Sequence, residues 1–398
     1  MFLGVLAFIA FEFKTNMIAA SSTGPHELPS EMSLSQTNRC SVVALKPQPK
    51  MLGDHYLMLV NTALASAMNQ EKIAQFNQSP YNGLAVTFSF NYDDSQPPSP
   101  EAIDRKISDW KKVTQKDIWP WVFLNRIVGV DDTQNNPYTT GPYFHRIRGA
   151  DLDDKVRAQT DFLQIWGNAL RAAKDTRTPG IVCDLEFYNY CKEYDPTELA
   201  REMGKTPQEV VNLLQRLGAR MADVAAVQYP DATIWLLFTG LAHPGYKTPD
   251  NQHYYLSPAY VAMGLLDEIQ KRNFSLKVLS GGEVGLGYCH SSLGQFREQI
   301  TERAAGFAPY LKKYAGILEL GGTMTVWSEA VAKRGWMKEG DCGACPAATV
   351  EDLQPYLDLL LKSYRYNWIY GSADGGYDAF QAQSARRFDA VIGKAKAH

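Results

Sequence analysis

The residues best suited to chemistry in this 398-residue chain are carboxylates that close apolar runs. Gly180-Ile-Val-Cys-Asp184-Leu-Glu186 reads as a buried strand ending in two acids. Side chains alternate along a strand, so Asp184 and Glu186 share a face, where the charge on one raises the proton affinity of the other. A further acid, Glu283, closes the run that starts at Leu276. A carboxylate turned inward is costly unless it has a cation, a hydrogen-bond network or a function. Two carboxylates across a cleft can break a glycosidic bond: one protonates the leaving oxygen while the other attacks the anomeric carbon or activates water. The acid must hold its proton near neutral pH, and burial beside a negative charge moves a Glu in that direction. On this reading Glu186 is the general acid/base, Asp184 tunes it, and Glu283 is the nucleophile or water-activating base.

Such acids need a scaffold that gathers strand ends at one place. From His55 onward, short apolar runs alternate with longer amphipathic segments, the pattern of repeated βα units around a parallel sheet. Eight strands are expected, over 56–61, 84–90, 119–125, 180–186, 233–239, 276–283, 317–327 and 367–370. Ser280-Gly-Gly and Gly321-Gly-Thr are expected to shorten the sixth and seventh. Helix starts lie between them. Thr206-Pro207-Gln208-Glu209 is a capping box with proline in the first turn, followed by Val210, Leu213, Leu214, Leu217 and Met221 at helical spacing. Ser99-Pro100-Glu101, Ser257-Pro258 and Thr349-Val-Glu-Asp352 open others. Eight βα units predict a single (β/α)8 TIM barrel, whose usual length of roughly 250 residues leaves room for long loops. The competing doubly wound open sheet lacks its Gly-x-Gly-x-x-Gly turn after an early strand.

In a barrel the C-terminal strand ends and their loops form the site. Candidates for substrate contact are therefore Asn61, Asn91, Asn125, Arg126, Tyr188, Tyr288, Trp327, Trp368 and Tyr370. The Asn and Arg residues are equally suited to capping the next helix, and Arg126 is also a possible ion-pair partner for Glu186. Trp119, Trp121 and Trp235 lie within strands and read as packing, whereas Trp327 and Trp368 come late enough to stack on a sugar ring. His243 reads as a loop residue without a chemical role.

Composition narrows the partners. A net charge of -3 with no long Lys/Arg run argues against nucleic acid. Cys342-Gly-Ala-Cys345 has no second pair, and the 7 His show no metal-binding spacing, so neither a metal nor a cofactor is expected. The paired acids make a carbohydrate the expected partner. The apolar stretch from Met1 to Phe11, followed by Ala19-Ala-Ser-Ser22, resembles a secretory signal too short to span a bilayer, which predicts a secreted or periplasmic protein without stable membrane insertion. Residues 1–50 read as signal peptide and linker, and 51–398 as one catalytic barrel.

The stretch from Gly180 to Tyr188 resembles the fourth-strand Asp-x-Glu motif of chitinase-like glycoside hydrolases. The resemblance implies that Glu186 is the general acid and Asp184 its support. Val182 stands where that family has a further Asp, which speaks against assistance by an N-acetyl group. Glu283 is similar in placement to the second acid of barrel glycosidases that use strands four and six, and the segments from Gly322 to Trp327 and from Tyr366 to Tyr370 resemble bacterial barrel proteins of glycosidase type. Two other readings stay open. One is a non-catalytic carbohydrate-binding barrel; the other is a lyase or metal-assisted hydrolase using Asp93, Asp184, Glu186 and Glu283.

Overall fold

The computed structural model describes residues 55–60, 70–87, 99–123, 157–185, 195–243, 245–247, 252–287, 290, 292–325, 351–370 and 382–396. Their order is β1 (Tyr56–Val60), α1 (Gln70–Gln78), β2 (Gly83–Thr87), α2 (Pro100–Val113), β3 (Asp117–Phe123), α3 (Arg157–Asp175), β4 (Gly180–Asp184), α4 (Pro196–Met203), α5 (Pro207–Gln228) and β5 (Thr233–Leu236). A short hairpin, β6 (Tyr246–Lys247) and β7 (His253–Tyr254), precedes α6 (Ser257–Arg272), β8 (Lys277–Ser280), the single turn α7 (Glu283–Leu286) and α8 (Leu293–Lys313). The described chain ends with β9 (Leu318–Thr325), α9 (Gln354–Ser363), β10 (Tyr366–Tyr370) and α10 (Ala382–Lys396).

Eight strands close into a parallel barrel in the order β1-β10-β9-β8-β5-β4-β3-β2, so the open-sheet alternative is set aside. Each coincides with one of the eight runs expected from sequence. The sixth barrel strand, β8, is shortened at Ser280 as its glycines suggest, but β9 runs unbroken through Gly321 and Gly322. These glycines provide space rather than a break. A Cβ on Gly322 would lie 2.5 Å from the Tyr364 ring and 2.6 Å from Asn367 Oδ1.

The helix starts largely follow the sequence. Thr206 and Glu209 form the reciprocal box, with the Thr206 N–H donating to Glu209 Oε2 at 2.7 Å, and Ser99 Oγ accepts from the Ala102 N–H. Ser257 instead lies inside α6, and no side chain caps that helix.

The barrel interior is filled by aromatic rings. Tyr56, Trp119, Trp235 and Tyr366 meet edge-on or tilted, with centroids 5.8 to 6.2 Å apart around the circuit. Trp119 Nε1 donates to Tyr56 Oη at 2.7 Å, and Tyr56 donates to Asp117 at 3.2 Å. Burial, reinforced by the Asp117 charge, holds the Tyr56 phenol well above its ordinary pKa. The bulk of the rings explains a small neighbour: a Cβ on Gly83 would sit 2.3 Å from Tyr56 Oη. Alternating large and small inward side chains is how a packed barrel core is filled.

Candidate active site

Register decides which strand residues face inward. Val182 pairs with Trp121 on one side and Trp235 on the other, and Trp235 belongs to the interior ring cluster. Alternation therefore turns Asp184, two residues on, into the barrel at the C-terminal end of the fourth strand. Asp184 is 2% exposed. Its neighbour Cys183, also buried, has a thiol pushed well above the usual range by burial and, secondarily, by the Asp184 charge. Glu186 and Tyr188 lie outside the described residues, as do Asn61, Asn91, Asp93, Asn125, Arg126, Tyr288, Trp327, Cys342 and Cys345.

Glu283 is expected from sequence to close a strand, and its setting differs. Strand β8 stops at Ser280, and Gly281-Gly282 redirects the chain so that Glu283 opens the turn α7 above the strand end. The change of direction needs backbone that only glycine adopts freely: Gly282 has φ 93° and Gly285 φ 98°. Gly281 is packed against the neighbouring strand end, where a Cβ would come 2.8 Å from Leu237 Cα. The result is a carboxylate 9% exposed, held beyond the sixth strand at the same end of the barrel as Asp184.

Trp368 holds this turn from inside. It lies on β10, is 1% exposed, and its Nε1 donates to the Gly281 carbonyl at 2.8 Å. In this arrangement the ring presents no face to solvent, unlike the stacking platform expected from sequence, and it acts as a strut from the eighth strand to the turn after the sixth. Tyr370, two residues on, is likewise buried. Trp119, Trp121 and Trp235 are core residues as expected, within the barrel.

Hydroxyls join the strand ends on this face, where Thr239 Oγ1 and Ser280 Oγ are 3.1 Å apart and both buried. The loop after β5 carries His243, whose Nδ1 accepts from the Gly245 N–H at 3.0 Å; the neutral ring therefore holds its proton on Nε2. Burial lowers its pKa to about 4, so it is uncharged near neutrality. Among the described residues no group of three His, Cys, Asp or Glu side chains is placed to hold a metal ion, and no helix is long and apolar enough to cross a membrane.

Sequence reasoning missed Arg303. An Arg at mid-helix in α8 looks like a solvent-facing residue, yet it is 4% exposed and reaches the last residue of β8 and the middle of β9. No local pattern marks it, because its surroundings come from segments distant in sequence. The β6–β7 hairpin was also unforeseen, since two-residue strands leave little periodicity.

No protein-family model and no curated protein matches the chain. The fold is similar to solved structures. An endo-beta-mannanase/endo-beta-glucanase from Prevotella bryantii superposes at TM-score 0.51 and 11% identity, over 87% of this chain and 49% of that one. A glycoside hydrolase family 5 enzyme from the same organism, in complex with a xyloglucan tetradecasaccharide, gives 0.49 and 12%, over 86% and 96%. A sugar phosphate isomerase/epimerase from Parabacteroides distasonis gives 0.39 and 7%, over 85% and 96%. This chain thus spans about half the length of the first of these proteins. At such identities the likeness is one of architecture, and the chain is a (β/α)8 barrel.

Proposed function

We propose that the chain is a glycoside hydrolase acting on a poly- or oligosaccharide. The observation that carries this reading is the placement of two buried carboxylates, Asp184 at the end of the fourth strand and Glu283 just past the end of the sixth, on one face of a closed barrel. Fold likeness to the Prevotella mannanase/glucanase supports it without deciding it.

In this mechanism Glu186, next but one to Asp184 in sequence, protonates the leaving glycosidic oxygen and, where Glu283 is the nucleophile, later deprotonates the water that releases the glycosyl-enzyme. Glu283 stabilises the oxocarbenium-like transition state from the other side, as nucleophile or as base toward water. Asp184 acts on Glu186 through its negative charge in a poorly solvated setting, favouring the protonated acid. The reaction requires no cofactor. Export, read from the apolar start of the sequence, completes the proposal and suits a polymeric substrate.

The test is replacement of Glu186 or Glu283 by Gln, with sugar release measured across a panel of polysaccharides. Each variant should fold and lose about 10³-fold or more in turnover, in line with removal of a group that acts in the transition state. Unchanged release in both variants removes the proposal. Glycan binding by the unaltered protein, with no reducing ends formed, would assign it to a carbohydrate-binding barrel instead.

A further inference from the structure

Arg303 is a cation buried between helix and sheet. Its guanidinium donates through Nη1 to the Gly321 carbonyl at 2.9 Å and through Nη2 to the Ser280 carbonyl at 3.0 Å, with Ser280 Oγ at 3.4 Å. Two rings flank it, Phe307 and Tyr364, each with its centroid 5.1 Å from the guanidinium carbon. Among the described residues no carboxylate forms an ion pair with it, and burial lowers its pKa from the ordinary Arg value. A charge held out of water without a counter-charge is a net cost, tolerated where its hydrogen bonds fix something.

What it fixes is the turn that bears Glu283. Ser280 is the last residue of β8, and Gly321 is the residue of β9 that follows the partner of Ser280 in the register. The side chain continues over the turn itself: positions where a Cβ would stand on Gly282 and Gly285 lie 3.4 Å from Arg303 Cζ and 3.5 Å from Arg303 Cδ. Gly282 and Gly285 both have positive φ within the turn, so any larger residue at either would meet strained backbone as well as Arg303. From the barrel interior Trp368 holds the Gly281 carbonyl. The segment Ser280 to Gly285 is therefore gripped on both sides.

We propose that Arg303 is a positioning residue for Glu283, acting on the backbone of the turn rather than on the carboxylate. Its consequence for turnover rests on the glycosidase reading; its consequence for the turn does not. Both are measured in Arg303→Met, which keeps the apolar stem and loses the donors, and in Arg303→Lys, which keeps the charge but can reach fewer acceptors. Backbone hydrogen exchange of residues 281–287 should accelerate about tenfold or more in Arg303→Met and less in Arg303→Lys, while protection in β1 and β4 is unchanged. Turnover of the glycan cleaved by the wild type should fall about 10- to 100-fold in kcat with KM little changed, the penalty of a misplaced group.

The decisive arm is the double variant with Glu283→Gln. If Arg303 works through Glu283, Arg303→Met costs little once the carboxylate is gone; independent, additive losses would overturn the proposal. Exchange in 281–287 identical to the wild type overturns it as well, whatever the activity. If the wild type cleaves no glycan, the glycosidase reading falls and hydrogen exchange alone decides whether Arg303 holds the turn.

Discussion

Trp368→Phe gives a direct measure of the inner half of this grip. The substitution leaves an aromatic ring on β10 and removes the indole N–H that donates to the Gly281 carbonyl at 2.8 Å. Depriving a buried carbonyl of its donor costs about 1–3 kcal/mol. At a site 1% exposed, the small void left by the second ring adds about 1 kcal/mol. The expected destabilisation is therefore about 2–4 kcal/mol, read as a lower urea midpoint with an unchanged slope, since the surface exposed on unfolding stays the same. Well below the unfolding transition nearly every molecule remains folded, so a fall in kcat under those conditions reports displacement of Glu283 rather than loss of protein. About tenfold or more is expected. A midpoint within error of the wild type would refute the argument that this hydrogen bond holds the turn, and a lowered midpoint with full turnover would refute its link to Glu283.

Two further outcomes concern pH. His290, 1% exposed and stacked 4.0 Å from Phe296 with Nδ1 2.8 Å from Gln299 Oε1, has its pKa lowered by burial to about 4. The unfolded chain thus binds a proton that the folded one refuses, so stability present above about pH 6.5 is lost as pH falls toward 4, by up to about 3 kcal/mol. His290→Phe should flatten that loss in urea midpoints taken at pH 7 and pH 5; an unaltered acid slope would contradict it. Asp389 on α10, half-buried with Oδ1 lacking a hydrogen-bond partner among the described residues, is pushed up to about 7 by burial against the opposing pull of Lys116. Its folded pKa lies above its unfolded one, so stability present below about pH 4 is lost as pH rises to 7. Asp389→Asn should remove that decline and gain about 1–2 kcal/mol at pH 7.5 after allowance for solvent screening; equal midpoints for variant and wild type would count against it.

The barrel was legible because its strands are buried on both faces, which writes each one as a short continuous apolar run such as Gly180-Ile-Val-Cys. Boundaries were less so. Gly281-Gly282 and Gly321-Gly322 are the same dipeptide with opposite meanings: the first turns the chain, while the second makes room within a strand for Tyr364 and Asn367. Only the neighbours distinguish them, and neighbours are not a local property. For the same reason Trp368 read as a surface for ligand, and nothing in the sequence singled out Arg303. The acids were conspicuous because a carboxylate after an apolar run violates the pattern around it, whereas the residues that hold Glu283 conform to theirs.

The pairing of β10 with β1 gives the site an order of assembly. Glu283 and its turn are synthesised some eighty residues before Trp368 reaches them. Until Tyr366–Tyr370 zips onto Tyr56–Val60, the sheet has two raw edges and the turn lacks its inner tether. Closing the sheet and tethering the turn that bears Glu283 thus coincide, and a partly made chain, however much of its sheet has formed, lacks the inner hold on that turn.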